Sequence, residues 1–273
     1  MDKKKKIILR ALKILLLVCL VPLFWSLILI FVTDSFVING ASMEPTLHSG
    51  QRVWVNKLLM GPRLYTRFDF RSPNLHSIRL PGIRRLQIGD VAIFNYPYAL
   101  SSSLISFRIN HVYCKRCLGT PGDTVLIKDC SFVLNDDKSN LQRGIKRRRF
   151  QIDESVSLLR SSQDSVLIKN NLFRAGLFAD ETEQWTIKNM GPIVVPKRGM
   201  TIELDSIARK HYNRVITWER RSYGSPQAGN SSTTYTFQHD WYFFVGDNLV
   251  NSVDSRHFGF VPADFVVGIV SGI

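Results

Sequence analysis

Between Ile14 and Val32 the chain runs for 19 residues without a charge (ILLLVCLVPLFWSLILIFV). At about 1.5 Å per residue, a helix of that length reaches about 28 Å, the thickness of a bilayer's hydrocarbon core. A core helix of a soluble domain rarely stays apolar on every face for so long. A cleaved secretory signal has a shorter apolar stretch and a small-residue cleavage site beyond it. Here Thr33-Asp34-Ser35-Phe36-Val37 follows, without that pattern. Residues 14–32 are therefore read as an uncleaved transmembrane anchor. Pro22 is tolerable in such a helix, and Cys19 serves there as a small hydrophobe. Segment 1–13 carries Lys3, Lys4, Lys5, Lys6, Arg10 and Lys13 against Asp2 alone. That excess places the N-terminus in the cytoplasm and everything after Val32 on the far side of the membrane.

The exported part has short apolar runs broken by Gly, Pro, Asn and Asp, which is the texture of β-strands and turns. Predicted strands are Phe36–Ile38, Arg52–Val55, Val91–Tyr96, His111–Leu118, Thr124–Ile127, Ser131–Leu134, Tyr235–Phe237, Trp241–Val245 and Val266–Val270. A helix is predicted over Asp205–Ile216. Met60–Gln87 and the polar stretch 135–234 look inserted. The expected organisation is a mainly β fold with the core in two parts, 33–134 and 235–273, around an inserted region 135–234.

Lys+Arg 36 against Asp+Glu 22 gives a net charge of +14, which favours anionic partners. Beside a membrane anchor the partner implied is the lipid bilayer and not nucleic acid. Tyr65, Phe68 and Phe70 near Arg63, Arg67 and Arg71 are only a thin version of an aromatic and basic nucleic-acid surface. The run Lys146–Arg149 reads as a solvated loop that could lean on anionic lipid. Cys114-Lys-Arg-Cys117 has redox or half-zinc spacing, but a zinc site needs a second ligand pair, and none stands at suitable spacing. In a strand the two thiols face opposite sides, so packing is the expected role and no metal is expected.

Three segments carry candidate chemistry. Asn39-Gly40-Ala41-Ser42-Met43-Glu44-Pro45 places small residues before a serine, so that another backbone can come close. A lone serine in a loop is usually a turn residue, and a nucleophile needs a base. None of the six histidines falls in a recognisable Ser/His/Asp context. Period-two alternation puts Lys115 on one face with Tyr113 and Cys117, where burial would lower its pKa from about 10.4. A neutral lysine amine can take a serine proton; a solvated lysine on a strand is the alternative. Gly246–Pro262 is dense in Gly, Asp, Asn and Ser, as orienting turns and ordinary loops both are. Within it Asp254 and Arg256 are spaced for a local ion pair.

Taken in order, these segments resemble blocks of the type I signal peptidase family. Ala41-Ser42-Met43-Glu44-Pro45-Thr46-Leu47 looks like its nucleophile block. Gly89-Asp90-Val91-Ala92-Ile93-Phe94 is similar to the next, Lys115–Asp123 resembles "KRxxGxPGD", and Gly246–Pro262 resembles "GDNxxNSxDSRxxGxVP". Met190–Ile216 also looks like the insertion of Bacteroidetes-type relatives. The resemblance implies an antiparallel β catalytic core and a Ser–Lys endopeptidase of the inner (plasma) membrane that cuts signal peptides from exported preproteins on the periplasmic face. It implies no cofactor. Ser42 is then the nucleophile and Lys115 the general base; Ser252 hydrogen-bonds the amine, and Asp254, Arg256, Arg116 and Asp247 brace the site. Two departures stand out. Leu249-Val250 replaces the family's common Arg-Asp. Gly40 replaces a Ser or Thr that donates to the oxyanion in some relatives, leaving the Ser42 backbone N–H as the assignable donor. Rival expectations are a pilus- or conjugation-type processing peptidase and an inert paralogue that only holds exported chains. The oligomeric state is not legible.

Overall fold

In the computed structural model the described residues are 3–67, 69, 71–98, 104–134, 148–150, 153–163, 165, 185–223 and 233–272. The uncharged segment lies in helix α1 (Lys3–Phe31), which continues through Pro22. Within it Arg10–Phe31 is long and apolar enough to cross a membrane, and its apolar window is nowhere buried against the rest of the chain.

Seven strands form the main sheet, antiparallel throughout. They are β1 (Thr33–Val37), β2 (Arg52–Asn56), β5 (Val91–Asn95), β6 (Val112–Gly119), β13 (Trp241–Val245), β14 (Val261–Pro262) and β15 (Val266–Ser271), in the order β1-β2-β15-β5-β6-β13-β14. Segments from both ends of the chain after Val32 therefore build one sheet. A hairpin of β3 (Arg63–Tyr65) and β4 (Ser77–Arg79) stands within the expected Met60–Gln87 insertion.

Alternation along the strands separates two apolar clusters. Val91 and Ile93 of β5 join Ile38, Met43, Leu47, Val53 and Val55 on one face. Ala92 and Phe94 join the larger core with Phe244, Trp241, Phe260 and Phe265 on the other. Phe94 stacks on Phe244 with ring centroids 4.4 Å apart. Every residue of β5 and β13 is buried, which matches their unbroken apolar runs.

A second sheet draws strands from both sides of residue 134. β7 (Thr124–Lys128) and β8 (Ser131–Leu134) pair with β9 (Arg148–Phe150) and β10 (Met190–Val194) in the order β10-β7-β8-β9. The chain thus leaves the main sheet at the turn 120–123. That turn is built to do so. The Asp123 carboxylate accepts from the Thr120 N–H at 2.9 Å and its hydroxyl at 2.6 Å, and Gly122 takes φ +92°, a conformation that favours glycine.

Helix α2 (Asp153–Ser161) and a hairpin of β11 (Thr201–Glu203) with β12 (Thr234–Thr236) follow in the inserted region. Between those two strands runs α3 (Ser206–Tyr223), which continues past the predicted end at Ile216. Near its end Glu219 is completely buried. Its carboxylate accepts from Tyr235 Oη, the Gln238 and His239 N–H groups and Trp241 Nε1, at 2.7 to 3.1 Å. This ties the inserted helix to the strand that leads into the site. A short α4 (Ser255–Phe258) closes the Gly246–Pro262 segment. Of the features singled out in the sequence, Lys146, Arg147, Phe68 and Phe70 lie outside the described residues.

Candidate active site

Ser42 lies on the loop joining β1 to β2. The loop is closed at its neck by Ile38 N–H to Gln51 O (2.9 Å) and Gly50 N–H to Ile38 O (2.8 Å). Met43 and Leu47 are buried in the smaller apolar cluster, so hydrophobic anchors on either side of the turn hold the serine in place. From below, the Asn248 N–H donates to the Ser42 carbonyl at 3.1 Å. Lys115 stands opposite Ala92 in the β5–β6 ladder and is only 4% exposed. Its Nζ donates to Ser42 Oγ at 2.5 Å and lies 5.4 Å from the centroid of the Tyr113 ring. Burial pushes the Lys115 amine below its ordinary value, against the opposing pull of the Asp254 and Asp247 carboxylates. Desolvation disfavours the charged form, so the amine is moved toward the neutral state that a base needs.

Around this pair lie two ion pairs, one half-buried and one fully buried. Arg116 points to the other face of β6 and makes a fork with Asp247, Nε to Oδ1 at 2.8 Å and Nη2 to Oδ2 at 2.5 Å. It also donates to Gly89 O at 2.7 Å and to Thr46 Oγ1 at 3.2 Å, which joins the serine loop to the turn before β5. Asp254 and Arg256 are both inaccessible to solvent and pair bidentately at 2.9 Å. The same carboxylate accepts from Gly246 N–H at 3.0 Å and caps α4, reciprocally with His257. Burial opposes ionisation of Asp254, yet the Arg256 guanidinium and the bonds from His257 and Arg256 hold its carboxyl well below the usual carboxylate range.

The structure thus gathers Ser42, Lys115, Arg116, Asp247, Ser252, Asp254 and Arg256 in one region, with differences from expectation. Ser252 is buried, but its Oγ makes no hydrogen bond among the described residues, so the expected bond to the lysine amine is not formed. Ser252 is seated instead by contact with Gly246, where a Cβ would collide with Ser252 Oγ and the Ser42 carbonyl oxygen. Gly246 was missed in the sequence because its role is steric and belongs to a contact far from it along the chain. The Asp254–His257 capping pair could have been found from its i, i+3 spacing. Gly40 takes φ +86° beside open space, with its N–H on Ser49 Oγ at 3.2 Å. The Ser42 N–H is used by no hydrogen bond among the described residues. Leu249 is completely buried in the main core, and its carbonyl accepts from Arg256 at 3.0 Å. Apolar packing by Leu249 therefore stands where the resembled motif carries a charged residue.

Cys114 and Cys117 are both free thiols. Burial drives the Cys114 thiol up to about 12, and Cys117 is in the main core, in keeping with packing roles. No group of His, Cys, Asp and Glu side chains suited to a metal ion occurs among the described residues. A cleft of about 430 Å³ opens over the dyad, walled by Phe36, Ile38, Met43, Ile93, Cys114 and Val253.

Comparison with known proteins gives a consistent result. A family model described as signal peptidase, peptidase S26, matches residues 8–273. The signal peptidase I of Buchnera aphidicola subsp. Acyrthosiphon pisum (strain APS) is 26% identical over 262 residues, 90% of this chain and 70% of that protein. The signal peptidase I of Pseudomonas aeruginosa is 38% identical over 95 residues, 35% of this chain and 27% of its own. A solved signal peptidase I structure from Enterococcus faecalis V583 covers 70% of this chain and all of its own, with 20% identity and a TM-score of 0.33.

Proposed function

The chain belongs to the signal peptidase family, peptidase S26, and from that premise we propose that it is a membrane-anchored endopeptidase that removes signal peptides from exported preproteins, with Ser42 as nucleophile and Lys115 as general base. The observation that carries the mechanism is the 2.5 Å contact between Lys115 Nζ and Ser42 Oγ at a buried amine.

With Lys115 neutral the same contact runs in reverse, the serine hydroxyl donating to the amine's lone pair. The amine takes that proton as Oγ attacks the scissile carbonyl, then delivers it to the leaving amine, which leaves an acyl-enzyme on Ser42. Water enters by the reverse sequence and frees the serine. The Ser42 backbone N–H is available to the developing oxyanion. One such donor is worth about 2.7–4 kcal/mol in other proteases. Ser252, Asp254 and Arg256 support the floor beneath the amine, and Arg116 with Asp247 ties the serine loop to β6.

Substrate geometry follows from the sheet. β1 is an edge strand, and residues 112–115 of β6 pair only with β5. An extended peptide fits between these free edges by strand addition, its small side chains entering the cleft against Ile38, Met43 and Ile93, as an Ala-x-Ala site requires. Ser42 lies ten residues past Val32, and even a fully extended link of that length spans at most about 33–36 Å. The basic N-terminus orients the anchor, so the catalytic part works at the outer membrane face.

The test is to incubate detergent-solubilised protein, Ser42→Ala and Lys115→Ala with a preprotein bearing an Ala-x-Ala site and to read the new N-terminus by mass spectrometry. Cleavage after that site by the unaltered protein alone is the expected result. Cleavage that survives in Lys115→Ala would remove the lysine from the mechanism.

A further inference from the structure

A second cleft, of about 550 Å³, opens beside the first. Its walls join parts of the chain that belong to different surroundings. Leu29, Ile30 and Phe31 come from the last turn of the anchor, Leu64 from the β3–β4 hairpin, and Ile109 and Val267 from the catalytic core. It shares Phe36, Asn110 and Val112 with the cleft that holds the dyad. The two hollows are therefore successive stretches of one path that leads from the foot of the anchor to Ser42.

The anchor's side of this path is fixed in place. The Lys57 N–H donates to Val32 O at 2.9 Å, and Lys57 Nζ donates to Leu29 O at 2.6 Å and pairs with Asp34 at 3.0 Å. Lys57, the residue after β2, thus holds the Leu29 carbonyl in the helix's last turn, the Val32 carbonyl just past its end and the Asp34 carboxylate of β1. Arg63, the other cation on the wall, donates to Asn95 Oδ1 at 2.9 Å and Asp264 O at 3.2 Å. Both cations point at protein partners, so neither is presented to a lipid phosphate. What remains facing the cleft is chiefly hydrocarbon.

We propose that this cleft is a docking site for the apolar segment of the substrate, the part that precedes the residues lying beside Ser42. The proposal rests on the reading above, that the dyad cuts exported preproteins. A chain with its scissile bond at Ser42 and its preceding residues between β1 and β6 passes Phe36 and Val112. It then reaches the anchor's last turn at the level where an apolar segment enters the bilayer. Burial of that segment against Leu29–Phe31 and Leu64 supplies binding energy remote from the reacting bond, which can be used to hold the substrate in register.

Photo-crosslinking tests this in the whole protein. Benzoylphenylalanine is placed at Leu64 in the Ser42→Ala background, reconstituted into phosphatidylethanolamine–phosphatidylglycerol vesicles with a preprotein. The same probe at Val253 reports on the dyad cleft, and at Ile83 on a position lining neither. All three positions are exposed, so folding is not at stake. The expected result is a Leu64 adduct mapping to the preprotein's apolar segment, a Val253 adduct mapping near the cleavage site, and no preprotein adduct from Ile83. Capture from Val253 with only lipid adducts from Leu64 overturns the docking site and leaves the protease reading intact. Loss of preprotein capture from both positions overturns the two together.

Discussion

Lys115 shows how function and stability oppose each other in a single side chain. Its burial lowers the amine's pKa, so at neutral pH the folded state is penalised for a group that the unfolded chain keeps protonated in water. The folded value lies below the unfolded one. The penalty is therefore greatest at low pH and vanishes as pH climbs to the ordinary value of 10.5. Lys115→Met keeps the volume and removes the amine; we expect no cleavage and a higher Tm, by about 2–4 °C for each kcal/mol recovered. Calorimetry at pH 6 and 9 should show the larger gain at pH 6, and a lower Tm in the variant would contradict this account. In the proposed mechanism the same lowering would set the acid limb of catalysis. kcat/KM should rise with pH as the amine loses its proton, with an apparent midpoint below 10.5. A pH–rate profile without a rising limb below that value would point away from Lys115.

At the scale of elements, the docking of α3 rests on one buried carboxylate. Removing Glu219 leaves four donors on β12, β13 and the segment between them without their acceptor. Hydrogen bonds to charged groups are worth about 1.5–3 kcal/mol each, and buried unsatisfied donors carry a cost of similar size. Glu219→Ala should therefore destabilise by about 3 kcal/mol or more in urea unfolding, and Glu219→Gln, which keeps one acceptor oxygen, by less. Equal losses in the two variants would mean that packing, not hydrogen bonding, holds the helix. This carboxylate also shows where sequence patterns stop being readable. Apolar spacing marks α3 as far as Ile216, but Thr217–Tyr223 mixes Trp218 with Glu219 and two arginines, and a glutamate reads as surface until its partners are seen. β5, β6 and β13 were legible because alternation or an unbroken apolar run names their burial. β3 and β4 were not, being three residues long with an arginine in each. At the site, motif blocks exposed Ser42 and Lys115, but nothing local to Gly246 announces that Ser252 and the Ser42 carbonyl press against it.

Across the whole molecule, the response to acid should be governed by Asp254. Its folded pKa is held below the ordinary 3.8. It therefore contributes stability that is fully present above that value and is lost as pH falls beneath it. Asp254→Asn leaves Arg256 buried without its counter-charge, a loss of about 3–5 kcal/mol at neutral pH. The stability gap between the two proteins should narrow as pH drops through 3.8, and a gap constant with pH would argue that the pair acts through shape alone. The order of strands carries a different consequence. β15, latest in the chain of the described strands, lies between β2 and β5. In the main sheet it joins the hairpin that carries the serine loop to the strands that carry Lys115, pairing with β2 on one side and β5 on the other. The main sheet therefore cannot close between the hairpin that holds Ser42 and the strands that hold Lys115 until residues 266–271 have been synthesised.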